Sequence, residues 1–242
     1  MLNTMEIIEE EQGPEGKRIS LAFSWNGSSV PAVLLLPQDN DSAAAALLIH
    51  GFSLTKEHMA ASVGRELLAN GIASLALDLP LHGERCTNDF LSPGNPLELM
   101  DGWNAAQEEC RLALEFLAAY PGVEKLTLVG YSLGAFMGLK VAADNPNIRA
   151  VVLAACGDLP EYMPFVPMVR MIADPIQWVR RLKQRPLLML HGRQDTIVPA
   201  EQADRLFQAA GEPKKILWFD SGHILPQEAM ARAAEWLREN TR

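Results

Sequence analysis

Short apolar runs alternate with amphipathic stretches along most of the chain. Residues 18–25 and 30–36 flank Asn26-Gly27, and this pattern predicts an antiparallel hairpin at the start of the fold. Continuous apolar runs, which are typical of strands buried on both faces, then recur. They lie at residues 44–49, 72–77, 126–129, 150–154, 187–190 and 216–219.

Segments with helical spacing of apolar residues separate these predicted strands. They lie at residues 56–69, 107–119, 135–143, 200–209 and 227–238. Pro121-Gly122 is a stop signal for the second of them. Strands that alternate with helices favour an α/β protein with a mostly parallel, doubly wound sheet and right-handed crossovers. The length of 242 residues fits a single domain over residues 1–242.

Residues 158–185 interrupt the alternation between two predicted strands. The segment is rich in proline, methionine and aromatic residues, and we interpret it as a small apolar lid. A plain crossover helix with a proline-rich entry is the alternative. Together with the loop after residues 44–49, the segment supplies the predicted substrate pocket: Phe52, Met163, Phe165, Met168 and Trp178.

Gly130-Tyr131-Ser132-Leu133-Gly134 joins a predicted strand to a predicted helix. Flanking glycines allow a sharp turn that exposes the serine hydroxyl at the edge of a sheet. Because the carboxyl ends of parallel strands gather along one edge, residues distant in sequence can meet this serine. Asp195 and His223 each follow a later strand, so we predict a Ser132, His223 and Asp195 catalytic triad.

An acyl-transfer intermediate also needs hydrogen-bond donors for its oxyanion. The predicted donors are the backbone N–H of Leu133, directly after the serine, and that of Phe52, in the loop after residues 44–49. Gly51 permits close approach of the backbone to a substrate there, and the N–H of Ser53 is the alternative donor.

The other histidines have weaker claims to catalysis. His82 precedes the serine in sequence, whereas the base follows it in folds of this kind. We expect Asp78 and Arg85, which lie on either side of His82 in the sequence, to brace this loop through charge-assisted hydrogen bonds. Buried His50 is compatible with support of the oxyanion loop or with a structural role, and neither His58 nor His191 competes with His223 as the base.

Composition and charge exclude several classes of protein. A net charge of -9 and a pI of about 5.1 oppose binding to nucleic acid or anionic lipid. No apolar run is long enough to cross a bilayer, and the first residues lack a secretory signal, which predicts a cytoplasmic protein. The three cysteines form no metal-binding spacing, and we expect them to be reduced, structural thiols.

These motifs resemble the α/β-hydrolase superfamily, and within it the small dienelactone-hydrolase-like serine esterases. The resemblance spans nearly the whole chain. It is carried by residues 50–58, 78–85 and 130–134, and by Asp195 with Ser221-Gly222-His223. It implies an α/β-hydrolase fold and ester hydrolysis without a cofactor. Dienelactone hydrolases carry cysteine as nucleophile, so Ser132 favours general esterase activity over lactone specificity.

The sequence therefore predicts a carboxylesterase-type serine hydrolase for small to medium apolar substrates. An acyl thioesterase or a small peptidase uses the same triad and is the first alternative. A noncatalytic protein that keeps the fold as a ligand pocket is the second. The expected partner is a small-molecule ester, and the oligomeric state stays open.

Overall fold

The computed structural model of the chain describes residues 4–38, 43–86, 96–160 and 166–241. Its strands are β1 Thr4–Gln12, β2 Gly16–Trp25, β3 Ser28–Pro37, β4 Ala44–Ile49, β5 Ala73–Leu77, β6 Lys125–Tyr131, β7 Ile148–Ala154, β8 Leu187–Gly192 and β9 Lys214–Phe219. Its α-helices are α1 Lys56–Met59, α2 Arg65–Ala69, α3 Pro96–Ala119, α4 Leu133–Asp144, α5 Val166–Ile172, α6 Pro175–Arg181, α7 Ala200–Ala209 and α8 Gln227–Asn240. A π-helical turn, Ala60–Gly64, joins α1 to α2, and a 3-10 turn spans Gly83–Arg85.

The chain forms two compact groups of residues, 1–126 and 127–242. In the first group the strands lie in the order β1-β2-β3-β5-β4. The predicted hairpin is β2 and β3, in which Trp25 pairs with Ser28. Asn26 and Gly27 both have positive φ angles, of 50° and 79°, as the tight two-residue turn requires. The structure thus confirms the hairpin prediction.

Strand β1 has no counterpart in the sequence-based prediction. It pairs antiparallel with β2, and its register shifts between Ile7 and Glu9. The side chains of residues 5–12 are all exposed, and four of them are glutamates. A strand without a buried face has no alternation of apolar and polar residues, and alternation is the signal on which strand prediction depends.

Strands β4 and β5 form the parallel part of this first group. Leu47 pairs with Leu75, and every residue of β4 is buried, as its continuous apolar sequence predicts. Strand β5 also pairs antiparallel with β3, through Leu34 and Leu75 among others. The strand is therefore shared between the antiparallel and the parallel parts of the sheet.

The second group has its strands in the order β6-β7-β8-β9. Strand β8 is parallel to β7 and to β9, so the carboxyl ends of these strands lie at the same edge. The predicted alternation of strands and helices is confirmed here. Several elements run one or two residues beyond their predicted ends, and helix α7 has the predicted bounds.

The segment predicted as a lid contains two short helices, α5 and α6, in its described part. The carboxylate of Asp174 caps α6, since its Oδ1 accepts from the N–H of Ile176 at 3.0 Å and of Gln177 at 3.3 Å. Residues 161–165 lie outside the described residues. The role of residues 158–185 as a lid stays a prediction.

Among the residues that the structure describes, no helix has both the length and the apolar character needed to cross a lipid bilayer.

Candidate active site

Ser132 lies on a sharp turn between strand β6 and helix α4. Its backbone has φ 50° and ψ −115°, a strained conformation for a residue other than glycine. The Ser132 N–H donates to the Ala154 carbonyl oxygen at 2.8 Å, and its own carbonyl oxygen accepts from Ala135 N–H at 2.9 Å. A Cβ atom at Gly130 would lie 2.5 Å from the Ala135 Cα, so glycine is required for helix and strand to approach this closely.

The three residues predicted as a triad form one continuous chain of hydrogen bonds. Ser132 Oγ lies 2.9 Å from His223 Nε2, and His223 Nδ1 lies 2.8 Å from Asp195 Oδ2. When Nδ1 carries the imidazole proton and donates a hydrogen bond to the Asp195 carboxylate, Nε2 can accept the hydroxyl proton of Ser132. The structure thus brings together three side chains separated by up to 91 residues, and their catalytic role stays a prediction.

Backbone N–H groups fix the Asp195 carboxylate in this arrangement. Its Oδ1 accepts from the N–H groups of Ile197 and Val198, both at 2.9 Å, which leaves Oδ2 for His223. The Asp195 side chain is fully buried, whereas the His223 side chain keeps 17% of its surface exposed. A buried, oriented carboxylate beside a partly accessible imidazole is the arrangement that a general base requires.

The loops that carry Asp195 and His223 contact each other directly. The N–H of Gln194 donates to the Ser221 carbonyl oxygen at 2.9 Å. A Cβ atom at position 192 would lie 2.1 Å from the Gly222 carbonyl oxygen, so only glycine at the end of β8 allows this approach. Gly192 therefore helps to set the distance between the acid and the base.

His191 is buried next to the loop that carries Asp195. Its Nε2 lies 2.9 Å from the Val198 carbonyl oxygen and 3.7 Å from Asp195 Oδ2. Burial lowers the pKa of the His191 imidazole, so the ring stays neutral and donates from Nε2 to the carbonyl. The hydrogen-bond partner of His191 is the backbone carbonyl oxygen of Val198, which indicates that His191 supports the loop that carries Asp195.

Leu133, one predicted oxyanion donor, is the first residue of helix α4. The first N–H groups of a helix have no acceptor within it, and they lie at its positive end. The Leu133 N–H is thus available beside Ser132. Its role as a donor to an oxyanion stays a prediction.

Phe52, the other predicted donor, lies in a tight turn after β4. Leu54 N–H donates to the Gly51 carbonyl oxygen at 3.1 Å, and Ser53, the alternative donor, has a φ of 61°. The Phe52 side chain is 59% exposed and contacts the His82 ring edge-on, with centroids 5.5 Å apart. This strained turn gives residues 51–54 a defined backbone, and the donor role of Phe52 stays a prediction.

His50 links this turn to the loop that follows β5. Its Nδ1 lies 2.8 Å from the Gly51 carbonyl oxygen, and its Nε2 accepts from Leu79 N–H at 3.0 Å. Burial lowers the pKa of His50 to about 4, so the imidazole is neutral near pH 7. The structure thus gives His50 a bracing role between two loops.

Asp78 anchors the same two loops through its buried carboxylate. Its Oδ1 accepts from Lys56 N–H at 2.8 Å, and its Oδ2 contacts Lys56 Nζ at 3.0 Å and Glu84 N–H at 3.2 Å. Lys56 Nζ also pairs with the exposed Glu84 carboxylate. Arg85 pairs bidentately with the buried Glu109 and donates to the Asp78 carbonyl oxygen at 3.1 Å. These contacts fit the predicted bracing role of Asp78 and Arg85.

We expect Asp78→Ala to lower the free energy of unfolding by about 3 kcal/mol, because it leaves the buried Lys56 ammonium with exposed carboxylate partners only. Urea denaturation followed by circular dichroism measures the change. Glu57→Ala is the matched control, since Glu57 lies 3.9 Å from the same Nζ but is half exposed. Equal stability of the two variants would contradict the anchoring role of Asp78.

The predicted pocket residues differ in their surroundings. Trp178 is buried, and its ring packs edge-on against Phe136 of α4 with centroids 5.2 Å apart. Met168 on α5 is 63% exposed. Met163 and Phe165 lie outside the described residues. Contact of these side chains with a substrate stays a prediction.

Tyr131 has a position in the site that sequence analysis did not foresee. Its hydroxyl lies against the backbone of the loop that carries His223. The serine motif accepts any residue at this position, so the pattern assigns no role to the tyrosine.

The chain is similar to one protein family and to several individual proteins. The model of the alpha/beta hydrolase family matches residues 46–186. The uncharacterized protein Rv2307c of Mycobacterium tuberculosis (strain ATCC 25618 / H37Rv) is 26% identical over 74% of the chain and 62% of its own length. Polyketide transferase ATR5 of Stachybotrys chlorohalonatus is 28% identical over 82% of the chain and 54% of its own length. The chain thus spans little more than half the length of these two relatives.

Two similar proteins of comparable length are named esterases. Esterase YjfP of Escherichia coli (strain K12) is 24% identical over 80% of the chain and 88% of its own length. A solved structure of a cold-adapted esterase from an Arctic intertidal metagenomic library superimposes with a TM-score of 0.78. It covers 97% of the chain and 98% of that protein at 24% identity, and so shows a shared fold.

Proposed function

The chain belongs to the alpha/beta hydrolase family, and on this basis we propose that it is a serine esterase that cleaves carboxylic esters through an acyl-enzyme intermediate. The observation that carries the proposal is the unbroken path from Ser132 Oγ through the His223 imidazole to the Asp195 carboxylate. A noncatalytic ligand-binding protein does not need this alignment, whereas a serine nucleophile does.

In the first half of the proposed reaction, Ser132 Oγ attacks the ester carbonyl carbon. His223 Nε2 takes the hydroxyl proton, and the buried Asp195 carboxylate stabilises the imidazolium that forms. The Leu133 N–H at the start of α4 stabilises the negative charge that develops on the carbonyl oxygen. The imidazolium then gives its proton to the departing alcohol, and the acyl group stays on Ser132.

In the second half, water hydrolyses the acyl-enzyme. His223 Nε2 removes a proton from water, and the resulting hydroxide attacks the acyl carbon. The tetrahedral intermediate collapses when the imidazolium returns the proton to Ser132 Oγ. A carboxylic acid leaves, and the free enzyme is restored with its original protonation.

The choice of esters among acyl compounds is supported by the relatives. Esterase YjfP and the Arctic metagenomic enzyme carry the name esterase, and both extend over most of the chain. The apolar side chains predicted to line the pocket favour small to medium apolar acyl or alcohol groups. Thioesters and amides undergo the same acyl transfer, so a comparison of alcohol, thiol and amine leaving groups separates the three activities.

A substrate panel tests the proposal. We expect kcat/KM for p-nitrophenyl acetate or butyrate to exceed that for the matched acyl thioester and the aminoacyl p-nitroanilide by about tenfold or more. Each rate is corrected with the Ser132→Ala variant, so that hydrolysis outside the site is subtracted. Preference for the thioester or the anilide would replace the esterase proposal by a thioesterase or a peptidase. Absence of turnover on all three classes would contradict acyl-transfer chemistry at this site.

A further inference from the structure

The hydroxyl of Tyr131 makes two hydrogen bonds to the backbone around His223. It donates to the His223 carbonyl oxygen at 2.7 Å, and it accepts from the Leu225 N–H at 2.9 Å. The tyrosine ring also contacts the imidazole edge-on, with ring centroids 6.2 Å apart. One side chain thus holds the backbone on both sides of Ile224.

The backbone around His223 is held by a small set of described contacts, of which the Tyr131 hydroxyl makes two. His223 lies between strand β9 and helix α8, and its neighbour Ile224 is 85% exposed, so the side chain of Ile224 contributes little packing. The contact between Gln194 N–H and the Ser221 carbonyl oxygen fixes the loop before His223. After His223, the backbone is held by the hydrogen bond from Leu225 N–H to the Tyr131 hydroxyl, and the Leu225 side chain is buried.

Tyr131 is also the residue immediately before Ser132. It ends strand β6, whose position is set by the sheet, and Ser132 follows in the strained turn. The two hydrogen bonds therefore tie the base-bearing loop to the same backbone that carries the nucleophile. A shift of about 1 Å between two reacting groups can lower a rate by about two orders of magnitude, so such a tether has direct consequences for proton transfer.

We propose that Tyr131 is a positioning residue that holds the His223 imidazole within hydrogen-bond reach of Ser132 by clamping the backbone at residues 223 and 225. This inference rests on the proposed esterase function, because it assigns Tyr131 a role in proton transfer from Ser132. The hydroxyl is occupied by backbone partners on both its donor and its acceptor side, so it acts through His223 and does not itself touch substrate. Burial raises the pKa of the Tyr131 hydroxyl, which keeps it protonated as a donor.

Tyr131→Phe tests the proposal because it retains the ring and removes only the hydroxyl. We expect kcat for a p-nitrophenyl ester to fall on the order of tenfold, with KM changed by less than about twofold. Labelling of Ser132 by a fluorophosphonate should slow by a similar factor. All rates are measured well below the melting temperature of each variant, so loss of stability does not contribute to the difference.

A spectroscopic readout separates positioning from general stability. In the parent protein, the proton between His223 Nδ1 and Asp195 is expected to give a downfield proton NMR signal, which Asp195→Asn should remove. In Tyr131→Phe this signal should broaden or shift, because the imidazole is no longer held in one place. Tyr120→Phe is the matched control, since it removes a tyrosine hydroxyl directly after helix α3, and it should leave kcat and the signal unchanged.

The possible outcomes distinguish this inference from the function on which it rests. If Tyr131→Phe keeps the kcat, labelling rate and NMR signal of an active parent, the positioning role is wrong and the esterase function stands. A fall in melting temperature alone, with those three quantities unchanged, overturns it in the same way. If the parent neither hydrolyses acyl substrates nor reacts with the fluorophosphonate, the proposed function fails, and an altered NMR signal in Tyr131→Phe would still support the clamp.

Discussion

Replacement of Ser132 by alanine is expected to lower kcat for ester hydrolysis by a factor on the order of 10⁴ to 10⁶. The substitution removes the only atom that forms the proposed acyl-enzyme bond, and it leaves His223 without a proton to accept from a nucleophile. Initial rates with p-nitrophenyl butyrate, measured at matched protein concentrations, give the change.

The Ser132→Ala variant should keep the parent circular dichroism spectrum and a similar melting temperature, since the change removes one hydroxyl. Ser62→Ala is the control, because Ser62 is partly exposed and its hydroxyl donates to a backbone carbonyl within the helical segment. That variant should retain parent activity. Comparable activity of Ser132→Ala and the parent would rule out Ser132 as the nucleophile.

Replacement of Asp195 by asparagine is expected to lower kcat by about 10⁴-fold, by enforcing the wrong histidine tautomer. The amide oxygen can keep the hydrogen bonds from Ile197 and Val198 at the Oδ1 position. The amide NH2 then faces His223 Nδ1, which must accept. The imidazole proton moves to Nε2, and Nε2 can no longer accept the proton of Ser132.

The control for this substitution is Asp220→Asn, in the loop that carries His223. The Asp220 side chain is 88% exposed and lies 3.6 Å from Arg193, so its loss should change kcat by less than about twofold. Steady-state kinetics on the same ester compares the two variants. An Asp195→Asn enzyme within tenfold of the parent would show that the carboxylate is not needed to orient His223.

The triad could be predicted from the order of its three residues along the chain and from the geometry of parallel strands. Ser132, Asp195 and His223 each follow a strand of the second group, and strands β7, β8 and β9 are mutually parallel. Parallel strands place their carboxyl ends at one edge, so local sequence was enough to predict that these side chains meet. The observed hydrogen bonds agree with that expectation.

The contacts of Tyr131 and Gly192 lay beyond sequence-based prediction for a different reason. Both depend on the distance between two loops, which no local pattern encodes. Strand β1 escaped prediction because its side chains are exposed and carry no alternation. Helix α3 begins at Pro96, earlier than the predicted residue 107; the part that was missed contains Gly102 and Asn104, which are poor helix formers.

The most direct test of the account is the site of covalent modification by a fluorophosphonate. After brief incubation of the folded protein, mass spectrometry of the intact chain and of its peptides measures the number and position of adducts. The account predicts a single adduct on Ser132 Oγ, formed far more slowly in Asp195→Asn, because only a serine activated by a correctly oriented imidazole attacks phosphorus rapidly. An unmodified parent protein, or an adduct on another residue, would contradict it.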